Sequence, residues 1–229
     1  MSSNPIWTVT DIAKAPRCAH DRGALLAVDS TVPKPVLTRP ITLGANGVLH
    51  SATKYLNGHS EVVTGAMVFA RPGLSTNARN GCGGCHPRFV RSTPLLWGLL
   101  TLHLRCAISR LRQRPLPIIS QAIRRLWLYP GLVSHPGHAI AARQMQGGFG
   151  GMLSMRAKRG EAAALASAGR ACGSGSGPRR SVASKAWSSS ARALRARAAD
   201  APWICSDFSA GLGCVEDLMA DSEQSLSVL

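Results

Sequence analysis

Two short apolar runs, residues 24–28 and 47–50, constrain this chain more than any other feature, because each delivers a reactive or polar group at its end. The first is closed by Asp29, and the second feeds the turn Ser51-Ala52-Thr53-Lys54. Continuous apolar runs this short fit buried parallel strands better than helices, which need roughly ten or more residues. A third run, residues 62–69 with Gly65 inside it, reads as another strand. Residues 9–20 carry apolar side chains at helical spacing, with Pro16 expected to interrupt or end the helix. Strand and helix alternate, so the chain falls in the α/β class. Its polar groups then gather at the C-terminal ends of strands, where open α/β sheets bind ligands.

The residue types at those ends suit one chemistry. The Lys54 amine can form a Schiff base with an aldehyde-bearing pyridine. The Asp29 carboxylate, placed at the far end of the ring, can keep the pyridine nitrogen protonated. Ser51 and Thr53 flank the lysine as hydroxyl donors for a phosphate. Taken singly, each residue also has an ordinary structural reading: an acid closing a strand, and a lysine in a solvated polar turn.

The whole string is more specific than its parts. The pieces SNP at residues 3–5, AHDRGALLAVDST at 19–31, HSATKYLNGHSEVVTGAMV at 50–68, LYPGLVSHPGH at 128–138 and RQMQGGFGGMLS at 143–154 follow one order. Together they resemble the pyridoxal-phosphate (PLP) enzymes of Cys/Met metabolism, the trans-sulfuration family of cystathionine γ-synthases, γ-lyases and β-lyases. The resemblance implies the PLP-dependent transferase fold of type I, aspartate aminotransferase-like, with an incomplete large domain (residues 1–125) and a small C-terminal α/β domain (residues 126–229). It implies that Lys54 binds PLP and shuttles protons among Cα, Cβ and Cγ of an amino-acid substrate. Asp29 is then the partner of the pyridinium nitrogen, Thr31 lies under the ring, and Ser51 and Thr53 hold the phosphate. Asn4 is either the asparagine near the cofactor's phenolic oxygen or an ordinary turn residue before Pro5. The family forms homo-oligomers, dimers or tetramers with shared active sites.

The resemblance also shows departures. The family's N-terminal third, with its phosphate-binding glycine loop and stacking tyrosine, has no counterpart here, which leaves the phosphate two neutral donors. Charge-assisted hydrogen bonds contribute about 1.5–3 kcal/mol each, so several missing ones would weaken binding by orders of magnitude. Asp207 stands where the family has an arginine for the substrate carboxylate, and an acid there would repel it. Catalytic ancestry is therefore more plainly written in the chain than catalytic competence, and a non-functional truncated remnant that folds poorly is one expectation.

Charge is unevenly spread. The formal net charge is +16, made up of +2 over residues 1–70, +19 over 71–204 and −5 over 205–229. A basic middle of that kind offers nucleic acid as an alternative partner for a non-catalytic protein. Few aromatic residues and no recognisable binding motif stand against it. Residues 71–94 and 106–125 are anomalous, rich in Arg with Gly, Cys or Pro, and residues 167–204 form a Ser/Gly/Ala/Arg tract with the composition of a disordered linker. A shifted reading frame in a G+C-rich gene would encode such filler.

Other motifs carry less. Cys82-Gly-Gly-Cys85-His86 has haem-attachment spacing but lies in an anomalous tract, and no second Cys pair completes a zinc site. His135 and His138 have ligand-like spacing, yet read better as core or surface histidines. The glycines of residues 147–151 read as a site of close packing or a tight strand crossing. Seven cysteines without regular spacing argue against a disulfide framework. No basic-then-apolar leader opens the chain and no apolar run reaches membrane-spanning length, so a cytoplasmic location is expected.

Overall fold

In a computed structural model, residues 2–3, 7–59, 61–74, 89–113, 127–156 and 205–209 are described; the sequence reading of Asn4, of Cys82–His86 and of the 167–204 tract lies outside them. The elements run β1 (Ser2–Ser3), β2 (Thr8–Val9), α1 (Ala15–His20), β3 (Ala27–Asp29), α2 (Lys34–Leu37), a 3-10 turn (Pro40–Leu43), β4 (Gly47–Ser51), β5 (Gly65–Phe69), α3 (Phe89–Leu100), α4 (Leu102–Gln113), β6 (Trp127–Leu128), α5 (His138–Gln144), β7 (Met152–Arg156) and β8 (Cys205–Ser209). They fall into two units. One comprises residues 1–2, 8–106 and 136–150, and the other residues 3–7, 107–135 and 151–229.

The first unit is built on the sheet β3-β4-β5. β3 and β4 run parallel, pairing Ala27 with Gly47, Val28 with Val48 and Asp29 with Leu49. β5 closes the sheet antiparallel to β4, with Leu49 opposite Met67 and Ser51 opposite Gly65. The apolar run 24–28 joins the ladder only from Ala27. Before that point Leu26 is engaged by the next loop: its carbonyl accepts from the Asn46 and Gly47 amides, and its amide donates to the Asn46 side chain at 2.8 Å. One face buries Val28, Val48 and His50. The other leaves Asp29 exposed, with Leu49 40% and Met67 44% exposed. The continuous apolar run predicted strands covered on both sides, and the described structure covers one.

Pro16 starts a helix instead of ending one. It lies in the first turn of α1, where its missing N–H costs nothing, and Arg17 and His20 occupy the last turn, where a cation complements the helix dipole. Ile12, Val28 and Ala45 form a buried core cluster in this unit, joined by Leu26 and Leu43. α5 clasps the segment before α1. The buried Gln144 amide accepts from the Ile12 N–H at 3.1 Å and donates to the Thr10 carbonyl at 2.9 Å, and Arg143 pairs with Asp11 at 2.5 Å. The glycine-rich run after α5 turns the chain with Gly147, Gly148 and Gly150 at positive φ, as close backbone reversal requires.

The second unit holds the sheet β6-β7-β8, all antiparallel, with Ser154 opposite both Leu128 and Asp207. Leu153 and Trp7 are each 1% exposed, and the Trp7 indole donates to Ser154 Oγ at 2.5 Å. No helix among the described residues is long and apolar enough to cross a membrane.

Candidate functional site

Parallel pairing puts the ends of β3 and β4 side by side. Because strand side chains alternate, Asp29, Leu49 and Ser51 share the open face of the sheet, and Asp29 is directly opposite Leu49. Beyond the strands the two loops are tied together. The Ser51 amide donates to Thr31 Oγ1 at 2.7 Å, the Thr31 amide donates to Asp29 Oδ1 at 2.8 Å, and the Ser30 amide donates to the Leu49 carbonyl at 2.9 Å. The carboxylate of Asp29 is thus turned back over its own loop and held near the start of the Lys54 turn.

That turn is rigid in its backbone and open at its lysine. Ala52 and Asn57 are fully buried and Leu56 is 6% exposed, whereas Lys54 is exposed. The Lys54 amide donates to the Ser51 carbonyl, the Asn57 amide to Ala52, and the Gly58 amide to Lys54. Thr53 anchors the other side: its hydroxyl donates to the Thr64 carbonyl at 3.2 Å and accepts from the Thr64 amide at 3.1 Å. Its hydrogen is therefore spent on backbone. Ser51 Oγ makes no hydrogen bond among the described residues, which leaves it the freer hydroxyl for an anion.

Of the residues singled out from sequence, Asp29, Thr31, Ser51, Thr53 and Lys54 come together at one edge of one sheet. Three further residues gave no sequence signal. His50 is buried, with Nδ1 donating to the Ser30 carbonyl at 3.2 Å. Burial lowers its pKa, against the raising effects of that carbonyl and of Asp29, so the ring is neutral near pH 7. Lys34 is 1% exposed, with Nζ 3.1 Å from the centroid of the Tyr55 ring. Arg105 is 8% exposed and donates to the carbonyls of Tyr55 and Leu56, the two residues after Lys54. Elsewhere His138 packs its ring against Phe149 with centroids 5.4 Å apart, and His135 is buried. Among the described residues no group of three His, Cys, Asp or Glu side chains gathers as a metal site.

An exposed amine on a fixed turn, a carboxylate on the adjacent strand and a hydroxyl between them can hold a compound bearing an aldehyde, a basic ring nitrogen and an anionic tail. Comparison with known proteins points the same way. The family of Cys/Met metabolism PLP-dependent enzymes matches residues 1–227. Cystathionine gamma-synthase of Mycobacterium tuberculosis is 42% identical over 173 residues, covering 71% of this chain and 42% of that protein. Cystathionine gamma-lyase of Bacillus subtilis is 41% identical, covering 66% of this chain and 41% of that protein. The chain thus spans less than half the length of these curated relatives. The crystal structure of cystathionine gamma synthase from Xanthomonas oryzae pv. oryzae, in complex with aminoacrylate and cysteine, superposes with a TM-score of 0.82 at 32% identity, covering 99% of this chain and 61% of that one. The fold is accordingly that of the type I PLP-dependent enzymes, and the chain belongs to the Cys/Met metabolism PLP-dependent family.

Proposed function

We propose that this chain carries the lysine-bearing half of a trans-sulfuration site and acts on sulfur or O-acyl amino acids, eliminating or replacing a group at Cγ or Cβ. Supporting this is the convergence of Lys54, Asp29 and Ser51 at the ends of adjacent parallel strands, tied by the Ser51–Thr31 hydrogen bond. Pyridoxal phosphate, when bound, supplies an electron-poor ring that stabilises negative charge at the substrate's α-carbon. Lys54 would hold the cofactor's aldehyde carbon through its amine, and as a free amine it would move protons at the substrate's Cα and Cγ. Asp29 keeps a proton on the ring nitrogen, and the Thr31 amide fixes that carboxylate in place. Thr31 has a hydroxyl hydrogen left after accepting from the Ser51 amide. Ser51, with Thr53 behind it, receives the phosphate.

Small-molecule amino acids as substrates and assembly into a homo-oligomer belong to the same reading. The basic middle of the chain offered nucleic acid as a partner; the family match and the site geometry support the enzyme instead.

The test is cofactor capture. Purified chain titrated with PLP, reduced with borohydride and mapped by mass spectrometry is expected to carry one adduct, on Lys54. Lys54→Ala should lose both the adduct and the visible-edge absorbance. Capture spread over several exposed lysines, or none, overturns the assignment.

A further inference from the structure

We infer that Arg105 is a positioning residue for Lys54: a buried guanidinium that fixes the turn presenting the reactive amine. The inference rests on the reading of Lys54 as the cofactor-bearing amine, and deepens it.

The turn has a backbone problem. Residues 52–57 are neither helix nor strand, so their carbonyls belong to no regular ladder in a place where Leu56 and Asn57 are buried. A buried carbonyl without a donor is costly. A second deficit lies nearby. The helical stretch is broken at Thr101 into α3 and α4, and the Gly98 carbonyl at the break turns to side-chain donors, Thr101 Oγ1 among them at 3.4 Å. Arg105 answers both. Its Nη1 donates to the Tyr55 carbonyl at 2.6 Å, and its Nη2 donates to the carbonyls of Leu56 at 3.3 Å and of Gly98. Its Nε donates to Thr101 Oγ1 at 3.0 Å. One planar fork with five N–H groups suits four converging acceptors; an ammonium cannot reach as many at fixed angles.

The surroundings are cut to fit that fork. Gly58 has φ +79°, which excludes most side chains, and a Cβ there would collide with the guanidinium, 2.5 Å from Cζ. Gly98 lies against the same turn, where a Cβ would fall 2.5 Å from the Leu56 carbonyl oxygen and closer to that of Asn57. Glycines on both sides thus let α3, α4 and the Lys54 turn approach at backbone distance, with the guanidinium between them. The amine of Lys54 itself stays exposed, so Arg105 acts on where the lysine stands.

The test compares Arg105→Met with Arg105→Lys, first without cofactor. Amide hydrogen exchange at Asn57 and Gly58, whose N–H groups close the turn, should quicken at least tenfold in Arg105→Met while amides of β4 change little. Arg105→Lys, which keeps the charge and loses the fork, should fall between. The rate of borohydride-trapped PLP capture on Lys54 should decline in the same order. Unchanged exchange at 57 and 58 overturns the inference, as does equal quickening in β4 for both variants, which is the mark of a general structural role. If Arg105→Met fails to fold, Arg105→Lys against the wild type carries the same comparison. Local quickening with no PLP on Lys54 even in the wild type would leave the clamp standing and remove the cofactor reading.

Discussion

The segments that follow β3 and β4 leave neighbouring parallel strands at the same end, and each carries a lysine. After β4, backbone hydrogen bonds and Arg105 bury the turn, and Lys54 projects from it into the open. After β3 the arrangement is inverted. Lys34 opens α2 at φ +58°, is 1% exposed, and lies over the Tyr55 ring beside the buried Cys106. The first design spends stability on the backbone to leave an amine free; the second hides an amine where its charge is a burden. Burial brings the Lys34 pKa down to about 8, with Cys106 raising it and Arg105 lowering it. Position near the strand ends therefore does not by itself make a lysine reactive toward a cofactor; access does.

Several substitutions sharpen this contrast, and the largest effect is the complete loss of PLP capture expected for Lys54→Ala. The matching Lys34→Met change should leave capture on Lys54 intact, since Lys34 has no opening to the sheet's exposed face. An adduct found on Lys34 would break the comparison.

Next in size is Gly98→Ala. A methyl at this position meets two backbone carbonyl oxygens that no rotamer change can move, so α3 must shift from the Lys54 turn. Overpacking of this kind costs about 1–3 kcal/mol, and backbone contacts place it at the upper end. Chemical denaturation should show a loss of ~3 kcal/mol, with weaker PLP capture. A neutral result would mean that the helix does not bear on the turn. The corresponding enlargement near Lys34 has no such lever, because there the close packing is side chain on ring.

Lys34→Met is expected to stabilise. With its folded pKa near 8 against 10.5 in the unfolded chain, Lys34 leaves the folded state with fewer protons across that window. Stability therefore rises with pH between about 8 and 10.5, and the cost is fully present below pH 8, at ~3 kcal/mol. The Tyr55 ring face offsets about 1–2 kcal/mol of it. Removing the amine should thus raise stability by roughly 1–2 kcal/mol at neutral pH and flatten the rise above pH 8, read by denaturation at several pH values. A destabilised variant would show that the ring contact outweighs desolvation.

The same pair of segments shows what a sequence displays and what it hides. Asp29 and the Ser51–Lys54 turn were legible because an apolar run ending in a polar residue marks a strand's C-terminal end. Family motifs then gave the order. Arg105 was not legible, since its partners are main-chain carbonyls, which every residue owns and no pattern records. Lys34 sits in Pro33-Lys34-Pro35, which looks like a solvated turn, and nothing local predicts that Tyr55 will cover it. The break at Thr101 was hidden for a related reason: apolar spacing continues through it, while the Gly98 carbonyl is satisfied by the side chains of Thr101 and Arg105. Pro16 was legible as a helix boundary, but its end was misassigned, because a proline fits the first turn as well as it stops the last.

His50 offers the smallest and most local probe, since it bridges the two segments. It sits on β4 and donates to the Ser30 carbonyl in the loop after β3. Its pKa lies below the ordinary 6.5, chiefly because burial disfavours the imidazolium, so the folded chain takes up protons less readily than the unfolded one. Stability from this residue is therefore complete above pH 6.5 and is lost as pH falls below that value toward the folded pKa. His50→Asn keeps an N–H in the position of Nδ1 and removes the titration. The variant should match the wild type at pH 7.5 and lose less stability than it between pH 6.5 and 5, with the Lys54 turn unchanged in hydrogen exchange. If the two chains instead fall in parallel through that window, the acid sensitivity belongs to carboxylates, and the segments after β3 and β4 are not coupled through this ring.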